Sequence, residues 1–217
     1  MAAQPGAYIP YFPLFFAGLW FFITVLLGLL SGWYGLMSRF PDRPDGVRLR
    51  IGNLSGSMGL TVNMGGILTL SVCDGGLRVS MFRVFGPFCR DFYVPWSELS
   101  VARRDRLLWK VARLGLGRPE VGHLTIRTHV ADRLAAAAGA DWPEDGVFVP
   151  ETTGQIASRI GLEWLVITIL ASTFFILAPR LMGAEAAAPP IALCIAFPAV
   201  SYGIVALVKL AWNLARR

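Results

Sequence analysis

The sequence PYFPLFFAGLWFFITVLLGLLSGWYGLM occupies residues 10–37 and contains no Asp, Glu, Lys, Arg or His. A helix crosses the roughly 30 Å hydrocarbon core of a bilayer with about 20 apolar residues, and this stretch exceeds that length. A cleaved signal peptide would need a basic residue before the stretch and a small-residue cleavage site after it. The first basic residue is Arg39 and residues 31–34 read SGWY, so we predict a retained transmembrane helix.

Two further apolar stretches lie near the carboxyl end of the sequence. Residues 162–182 read LEWLVITILASTFFILAPRLM, and residues 190–212 read PIALCIAFPAVSYGIVALVKLAW. Because only residues 183–189 separate them, we predict an antiparallel helical hairpin, with a bend at Pro198. Charged residues stand only near the ends of these stretches, which argues against an ion or proton path through them.

The charged residues of the chain are concentrated between the apolar stretches. The 217 residues are 55% hydrophobic and only 16% charged, whereas soluble domains carry about 25% charged residues. The net charge is +6, but the sequence lacks the dense basic stripe with stacking aromatics that nucleic-acid binding requires. We therefore predict one soluble domain held between membrane spans, and no nucleic-acid partner.

The predicted organisation is that of an α+β membrane protein with three transmembrane helices and an inserted antiparallel β domain. Its parts are an amino-terminal segment with the first span (1–38), the β domain (39–140), a linker with a juxtamembrane segment (141–161), the second span (162–182), an outer loop (183–189), and the third span with a basic carboxyl terminus (190–217).

The orientation follows from the positions of basic and tryptophan residues. Basic residues near span ends favour the cytoplasm, and tryptophans favour the headgroup layer. We therefore predict an amino terminus outside the cell, with the central domain and the carboxyl terminus in the cytoplasm. The residues on the predicted inner side are Arg39, Arg43, Arg48, Arg50, Arg159, Lys209, Arg216 and Arg217, with Trp33, Trp164 and Trp212 at the inner span ends.

The central region alternates apolar and polar residues, which is typical of strands. Residues 66–72 read GILTLSV and residues 77–85 read LRVSMFRVF, with the turn sequence CDGG between them. After the strands, Thr128 is placed to cap a helix that ends at Gly139. The other predicted strands cover residues 47–51, 90–94, 98–104, 107–114 and 121–127.

Residues 76–111, GLRVSMFRVFGPFCRDFYVPWSELSVARRDRLLWKV, and residues 123–139, HLTIRTHVADRLAAAAG, carry a resemblance to a known family. Over residues 46–139 the chain resembles bacterial membrane-anchored pleckstrin-homology-like (GRAM-like) domains. The resemblance implies a seven-stranded sheet closed by a terminal helix, at a bacterial inner membrane. The residues that match its two motifs are Gly76, Leu77 and Val79, then Val94, Pro95, Trp96, Glu98 and Leu99.

The chain departs from the lipid-binding members of the wider superfamily in the first hairpin. Those members carry basic residues there, but residues 52–66 read GNLSGSMGLTVNMGG without any charge. Phosphate recognition needs Arg or Lys donors, so specific inositol-phosphate binding at this hairpin is not expected. We predict a flexible loop on the rim of the domain; alternatively Met58, Leu60 and Met64 make it an apolar contact surface.

The favoured function is a non-enzymatic binding or scaffold module that contacts anionic lipid headgroups or another membrane protein. Alternatively, residues 103–106 form only a solvated hairpin tip. Within the first span, Gly28 and Gly32 have the spacing of a helix-packing pair. The candidate binding residues are Arg103, Arg104, Arg106 and Lys110, with Trp96 and Trp109 as apolar anchors.

Two other functions remain open. The chain could be a structural or accessory subunit of a larger membrane complex, or a hydrolase built on Cys89 and His123. The three cysteines, Cys73, Cys89 and Cys194, form no close pair, which argues against a disulfide framework and a zinc site. We therefore predict neither a catalytic site nor a metal or cofactor.

Overall fold

The structure is a computed structural model that describes residues 11–59, 62–105, 110–146, 153–181 and 190–215. It divides into two units, of which one comprises residues 21–149 and the other residues 1–20 with 150–217. The predicted outer loop 183–189 lies outside the described residues, as do Leu60, Arg106 and Trp109.

The elements follow the predicted order of helix, strands, helix and helical hairpin. The helices are α1 (Tyr11–Leu30), α2 (Trp33–Arg39), α3 (Thr128–Ala138), α4 (Thr153–Leu181) and α5 (Ile191–Ala215). The strands are β1 (Val47–Met58), β2 (Val62–Cys73), β3 (Gly76–Met81), β4 (Phe92–Pro95), β5 (Leu99–Asp105), β6 (Lys110–Leu116), β7 (Gly122–Arg127) and β8 (Asp145–Gly146).

Seven strands form one antiparallel, barrel-like sheet in the order β4-β3-β2-β1-β7-β6-β5, and the short β8 pairs in parallel with β5. Alternate residues of each strand point inward, so Leu68, Leu70 and Val72 of β2 are fully buried. Helix α3 places Val130 and Leu134 against the same core. The predicted α+β class and antiparallel sheet are confirmed.

The described residues of the glycine-rich segment 52–66 lie almost entirely in strands and not in a rim loop, contrary to the prediction. Its ends belong to the hairpin of β1 and β2, because Leu54, Gly56 and Met58 alternate into the core. Asn53 has a φ of 55°, and the pairing register shifts between Ile51 and Leu54 at this bulge. Of these glycines, Gly56 serves close strand packing, because a Cβ atom there would lie 2.9 Å from the carbonyl oxygen of Thr125.

The apolar stretch 10–37 is not one continuous helix. Gly32 has a φ of 74°, and the chain bends by 62° between α1 and α2. Trp33, predicted at the headgroup layer, is instead fully buried with Leu36 in the core of the β domain. Its ring meets the ring of Phe92 edge-on, with 4.9 Å between centroids.

Helix α3 occupies the predicted residues, but its predicted cap is wrong. Arg127 is the residue that caps the helix, it makes no side-chain cap hydrogen bond, and Thr128 is the first helical residue. Strand β7 runs directly into this helix. No loop residue with a hydroxyl therefore precedes the helix to accept a hydrogen bond from the N–H groups of its first turn.

Helices α4 and α5 form the predicted antiparallel hairpin. The Nε1 of Trp164 in α4 donates a 2.9 Å hydrogen bond to the carbonyl of Ala199 in α5. Glu163 and Lys209 form an ion pair of 2.6 Å. Residues Ile156–Arg180 of α4 and Ile191–Ala211 of α5 are each long and apolar enough to cross a membrane. Helices α1 and α2 would count as a third such segment only if the bent pair formed one span.

Candidate functional site

A cleft of about 480 Å³ opens on the outer face of the sheet, next to the end of β3. It is lined by outward-facing side chains, which alternate along each strand with core side chains. Thr69, for example, lies between the buried Leu68 and Leu70. Strand β1 contributes Arg50 from one side, and the chain that follows β3 contributes Arg83 from the other. The lining residues are Arg50, Asn53, Gly66, Ile67, Thr69, Ser80, Met81, Phe82, Arg83, Phe85 and Asp91.

The charged groups of the cleft are two guanidinium groups and one carboxylate. Asp91 accepts a 2.9 Å hydrogen bond from the hydroxyl of Ser80, and its other oxygen lies 3.8 Å from the nearest nitrogen of Arg83. The Arg50 residue is exposed, and the side chain of Arg83 is 66% exposed. Guanidinium groups with nearby hydroxyl and amide groups are suited to bind a phosphate.

The aromatic loop, which we define as residues 82–88 with the sequence FRVFGPF, forms one wall of this cleft. Its four large apolar side chains are exposed: Phe82 by 60%, Val84 by 57%, Phe85 by 40% and Phe88 by 50%. Single exposed apolar side chains are common, but a contiguous group of them marks a contact surface.

The aromatic loop and the following Cys89 lie along helix α1. The rings of Phe88 and Phe21 meet edge-on with 5.1 Å between centroids. Two turns further along α1, a Cβ atom added to Gly28 would lie 3.2 Å from the Sγ of Cys89. Thr24, between these two positions, is 4% exposed. Between Phe21 and Gly28, one face of α1 is therefore packed against the β domain.

The tip of the β1–β2 hairpin also reaches the end of α1. Gly59 has a φ of 57°, and a Cβ atom there would lie 2.5 Å from the carbonyl oxygen of Ser31. The tip and the aromatic loop, which forms one wall of the cleft, thus both lie against the chain between Phe21 and Ser31.

Cys89 and His123 have different neighbours. Cys89 is buried beside Tyr34, and burial raises the pKa of its thiol, which is the opposite of activation. The Nδ1 of His123 lies 3.3 Å from a nitrogen of Arg113 and 3.6 Å from a carboxylate oxygen of Glu120. This geometry gives no support to a nucleophile pair.

Three of the four predicted basic residues fall on β5 and β6. Arg103 forms an ion pair with Asp132 of α3, Arg104 is part of β5, and the exposed Lys110 begins β6. Arg106 and Trp109 lie outside the described residues. The structure thus ties Arg103 to the terminal helix of the domain.

Trp96 and the two predicted packing glycines have structural neighbours. The Trp96 ring lies 6.0 Å from that of Trp142, and its Nε1 donates a 3.3 Å hydrogen bond to the carbonyl of Asp74. Gly28 faces Tyr34 and Cys89, whereas Gly32 stands at the bend after α1. Gly28 and Gly32 therefore do not share one helical face.

A polar cluster fastens the segment before β1 to the edge of the sheet. The hydroxyl of Tyr93 donates a hydrogen bond to Asp45, and the guanidinium of Arg43 lies 4.3 Å above the Tyr93 ring. Burial, and then the hydrogen bond with Asp45, raise the pKa of Tyr93 to about 12. The hydrogen bond from Tyr93 lowers the pKa of Asp45. We assign this cluster a structural role.

Sequence reasoning missed the cleft, because Arg50 and Arg83 are far apart in the chain and lie on separate elements. A signal was present in the sequence FRVFGPF. The Gly-Pro pair ends the strand pattern, yet four large apolar residues stand around it.

No protein-family model and no curated protein matches this chain.

Proposed function

We propose that the chain is a non-enzymatic multi-pass protein of the bacterial inner membrane, whose pleckstrin-homology-like domain binds the anionic headgroup of a lipid. The observation that carries this proposal is the position of the cleft. Arg50 and Arg83 both line it, and one of its walls is the aromatic loop, whose Phe88 packs on Phe21 of the apolar helix α1.

In this proposal α1 is the third membrane span, in addition to α4 and α5. Its 20 residues rise by about 1.5 Å each and cover about 30 Å, the thickness of the hydrocarbon core. Helix α2 stays with the β domain because Trp33 and Leu36 are buried there. Arg39 and Arg43 follow α1 in the sequence, so the β domain and the carboxyl terminus are in the cytoplasm and the amino terminus is outside.

The cleft suits an anionic lipid for electrostatic reasons. Two guanidinium groups and one carboxylate leave a net positive charge, and the cytoplasmic leaflet carries a negative surface potential. Asn53 and Thr69 supply further hydrogen-bonding groups, as a phosphate with several acceptor oxygens requires.

Lipid binding to the full-length chain in mild detergent tests this proposal. Native mass spectrometry should find phosphatidylglycerol bound in preference to phosphatidylcholine. We expect the double variant Arg50→Gln/Arg83→Gln to retain several-fold less phosphatidylglycerol than the wild type, because the charge-assisted hydrogen bonds are lost. Raised salt should weaken the binding as well.

A matched control is Arg133→Gln, which removes an exposed arginine of α3 and should leave binding unchanged. The variant Arg103→Gln/Lys110→Gln tests the basic residues predicted from the sequence. Loss of binding in that variant alone would move the site to β5 and β6. Equal binding of both lipids by the wild type would refute the lipid proposal.

The orientation has its own test. Val47 is 49% exposed at the start of β1 and pairs with Cys73 of β2, so a Val47→Cys variant made in a Cys73→Ala background presents an accessible thiol on the β domain. We expect a membrane-impermeant maleimide to leave this thiol unmodified in sealed cells and to modify it after permeabilisation. Modification in sealed cells would place the β domain outside.

A further inference from the structure

We infer that the aromatic loop, residues 82–88, is embedded in the acyl-chain layer of the membrane leaflet next to the β domain. This inference rests on the proposed third span, α1. The chemical partner of the four exposed side chains is then the hydrocarbon of lipid, and the loop acts as a wedge beside the span.

The depth of the loop follows from its contact with α1. Phe21, which meets Phe88, lies nine residues before Leu30, the last residue of α1. At about 1.5 Å per residue this distance is about 13 Å along the helix axis. A span that ends at Leu30 therefore brings Phe88 well inside a hydrocarbon core of about 30 Å.

A position of the loop in water conflicts with the length of α1. If the membrane boundary lay at Phe21, only Tyr11–Trp20 of this helix would remain in the bilayer. Those ten residues cover about 15 Å, which is half of the core. Phe22, Leu27 and Leu29, all exposed by 41% or more, would then face water too.

Part of the loop backbone is suited to an apolar medium, in which each unsatisfied N–H is costly. The N–H of Phe82 bonds to the carbonyl of Ile67 at 2.9 Å, and that of Phe85 bonds to Phe82 at 2.9 Å. Gly86 bonds to Arg83 at 3.3 Å, and Pro87 has no N–H to satisfy. The N–H groups of three of the seven loop residues are thus bonded within the β domain, two of them in the one-turn 3₁₀ helix and the glycine after it.

The charged residues around the loop mark the level of the headgroups. Arg83 extends toward Asp91 in the cleft, and Arg90 is exposed directly after Cys89. Long arginine side chains keep their charge at the interface while their stems lie against hydrocarbon. The wedge would thereby contact the acyl chains, and the cleft the headgroups, of the same leaflet.

Depth-dependent fluorescence quenching in the full-length chain tests the inference. Single variants Val84→Cys and Phe85→Cys, labelled with an environment-sensitive fluorophore and reconstituted in liposomes, should be quenched several-fold by lipids that carry a nitroxide on the acyl chain. The label at Val47→Cys, again in the Cys73→Ala background, should not be quenched, because this exposed position is the first residue of β1, at the end of the strand opposite the hairpin tip at Gly59. The wild type, whose three cysteines are buried, gives the background labelling.

A label at Leu14→Cys separates the inference from the proposal on which it rests. Leu14 is 73% exposed on α1 and should be quenched by acyl-chain nitroxides if α1 spans the bilayer. Quenching at Leu14 but not at Val84 or Phe85 would overturn the embedded loop alone. Absence of quenching at Leu14 would overturn the third span and the wedge with it.

Discussion

The Nε1 of Trp33 donates a 2.8 Å hydrogen bond to the main-chain oxygen of Arg90. Trp33 is the first residue of α2, and Arg90 follows the aromatic loop shortly before β4. The bond therefore joins the chain that leaves α1 to the chain that returns from the loop. It fixes the loop relative to the helix with which Phe88 is in contact.

Replacing Trp33 should loosen this junction. We expect Trp33→Ala to lower the free energy of unfolding by about 3–5 kcal/mol, because it opens a cavity at a fully buried aromatic site. Trp33→Phe should cost about 1–3 kcal/mol, because it takes the hydrogen-bond donor away from the Arg90 carbonyl. Thermal unfolding of the full-length chain in detergent measures both effects, with the exposed Phe22→Ala as the control.

The thiol of Cys89 reports on the same junction. Cys89 is 1% exposed and lies next to the loop, so its alkylation should be slow in the wild type and faster in Trp33→Ala. Unchanged alkylation together with an unchanged unfolding midpoint would show that Trp33 does not hold the loop.

The strands of the β domain could be predicted because each has one buried face. Leu77, Val79 and Met81 alternate with Arg78 and Ser80, and this period of two is independent of distant contacts. The hairpin of α4 and α5 was equally predictable, because two long apolar stretches separated by a short link must pair. Local pattern decided both structures.

The break of the first apolar stretch could not be predicted from hydropathy. Trp33 and Leu36 are as apolar as a lipid-facing residue would be, but their neighbours are protein side chains. The cleft escaped prediction for another reason. It is formed by the bulge at Asn53 and by the chain after β3, and long-range pairing alone brings these segments together.

Gly56 is the glycine at which a methyl group should matter most in β1. A Cβ atom there would lie 2.9 Å from the carbonyl oxygen of Thr125 and 3.1 Å from a methyl of Leu68. We expect Gly56→Ala to destabilise the domain by about 1–3 kcal/mol, because β1 and β7 would be pushed apart. Chemical denaturation of the full-length chain measures this cost.

Gly52 provides the matched control in the same strand. Its added Cβ would meet Thr69 Oγ1 at 3.5 Å, an ordinary contact. Gly52→Ala should therefore be close to neutral. If both variants unfold at the same denaturant concentration, the close approach of β7 to Gly56 is not present in the protein.

Tyr93 should make the stability of the domain depend on alkaline pH. Its pKa is raised from 10.0 to about 12 in the folded protein, so folding favours the protonated phenol. The stabilisation is complete below pH 10 and is lost as the pH rises from 10 to about 12. Compared with Tyr93→Phe, the wild type should lose stability across this window, which thermal unfolding at several pH values can measure.

Asp45→Asn separates the two causes of this shift. Burial is the larger cause and remains in the variant, whereas the hydrogen bond with the carboxylate is weakened and its charge is lost. The pKa of Tyr93 should therefore fall but stay above its ordinary value. Ultraviolet titration, taken as the difference from Tyr93→Phe, measures it; an unchanged pKa would mean that Asp45 does not contact the phenol.

The ion pair of Glu163 and Lys209 should help to hold α4 against α5. Its two atoms are 2.6 Å apart, and the side chains are 29% and 48% exposed. Exposed ion pairs contribute about 0–1 kcal/mol, so Lys209→Gln should lower the unfolding midpoint slightly. Lys209→Glu should lower it further, because it places a second carboxylate next to that of Glu163.

The charge-reversed double variant Glu163→Lys/Lys209→Glu distinguishes a pairwise interaction from a local effect of either substitution. It restores opposite charges at the same two positions, so its midpoint in detergent should recover most of the loss caused by Lys209→Glu. High salt should shrink the differences among these variants, because it screens exposed charges. If the double variant were no more stable than Lys209→Glu, the two side chains would not interact, and α4 and α5 would be held together by their apolar contacts and by the Trp164 hydrogen bond instead.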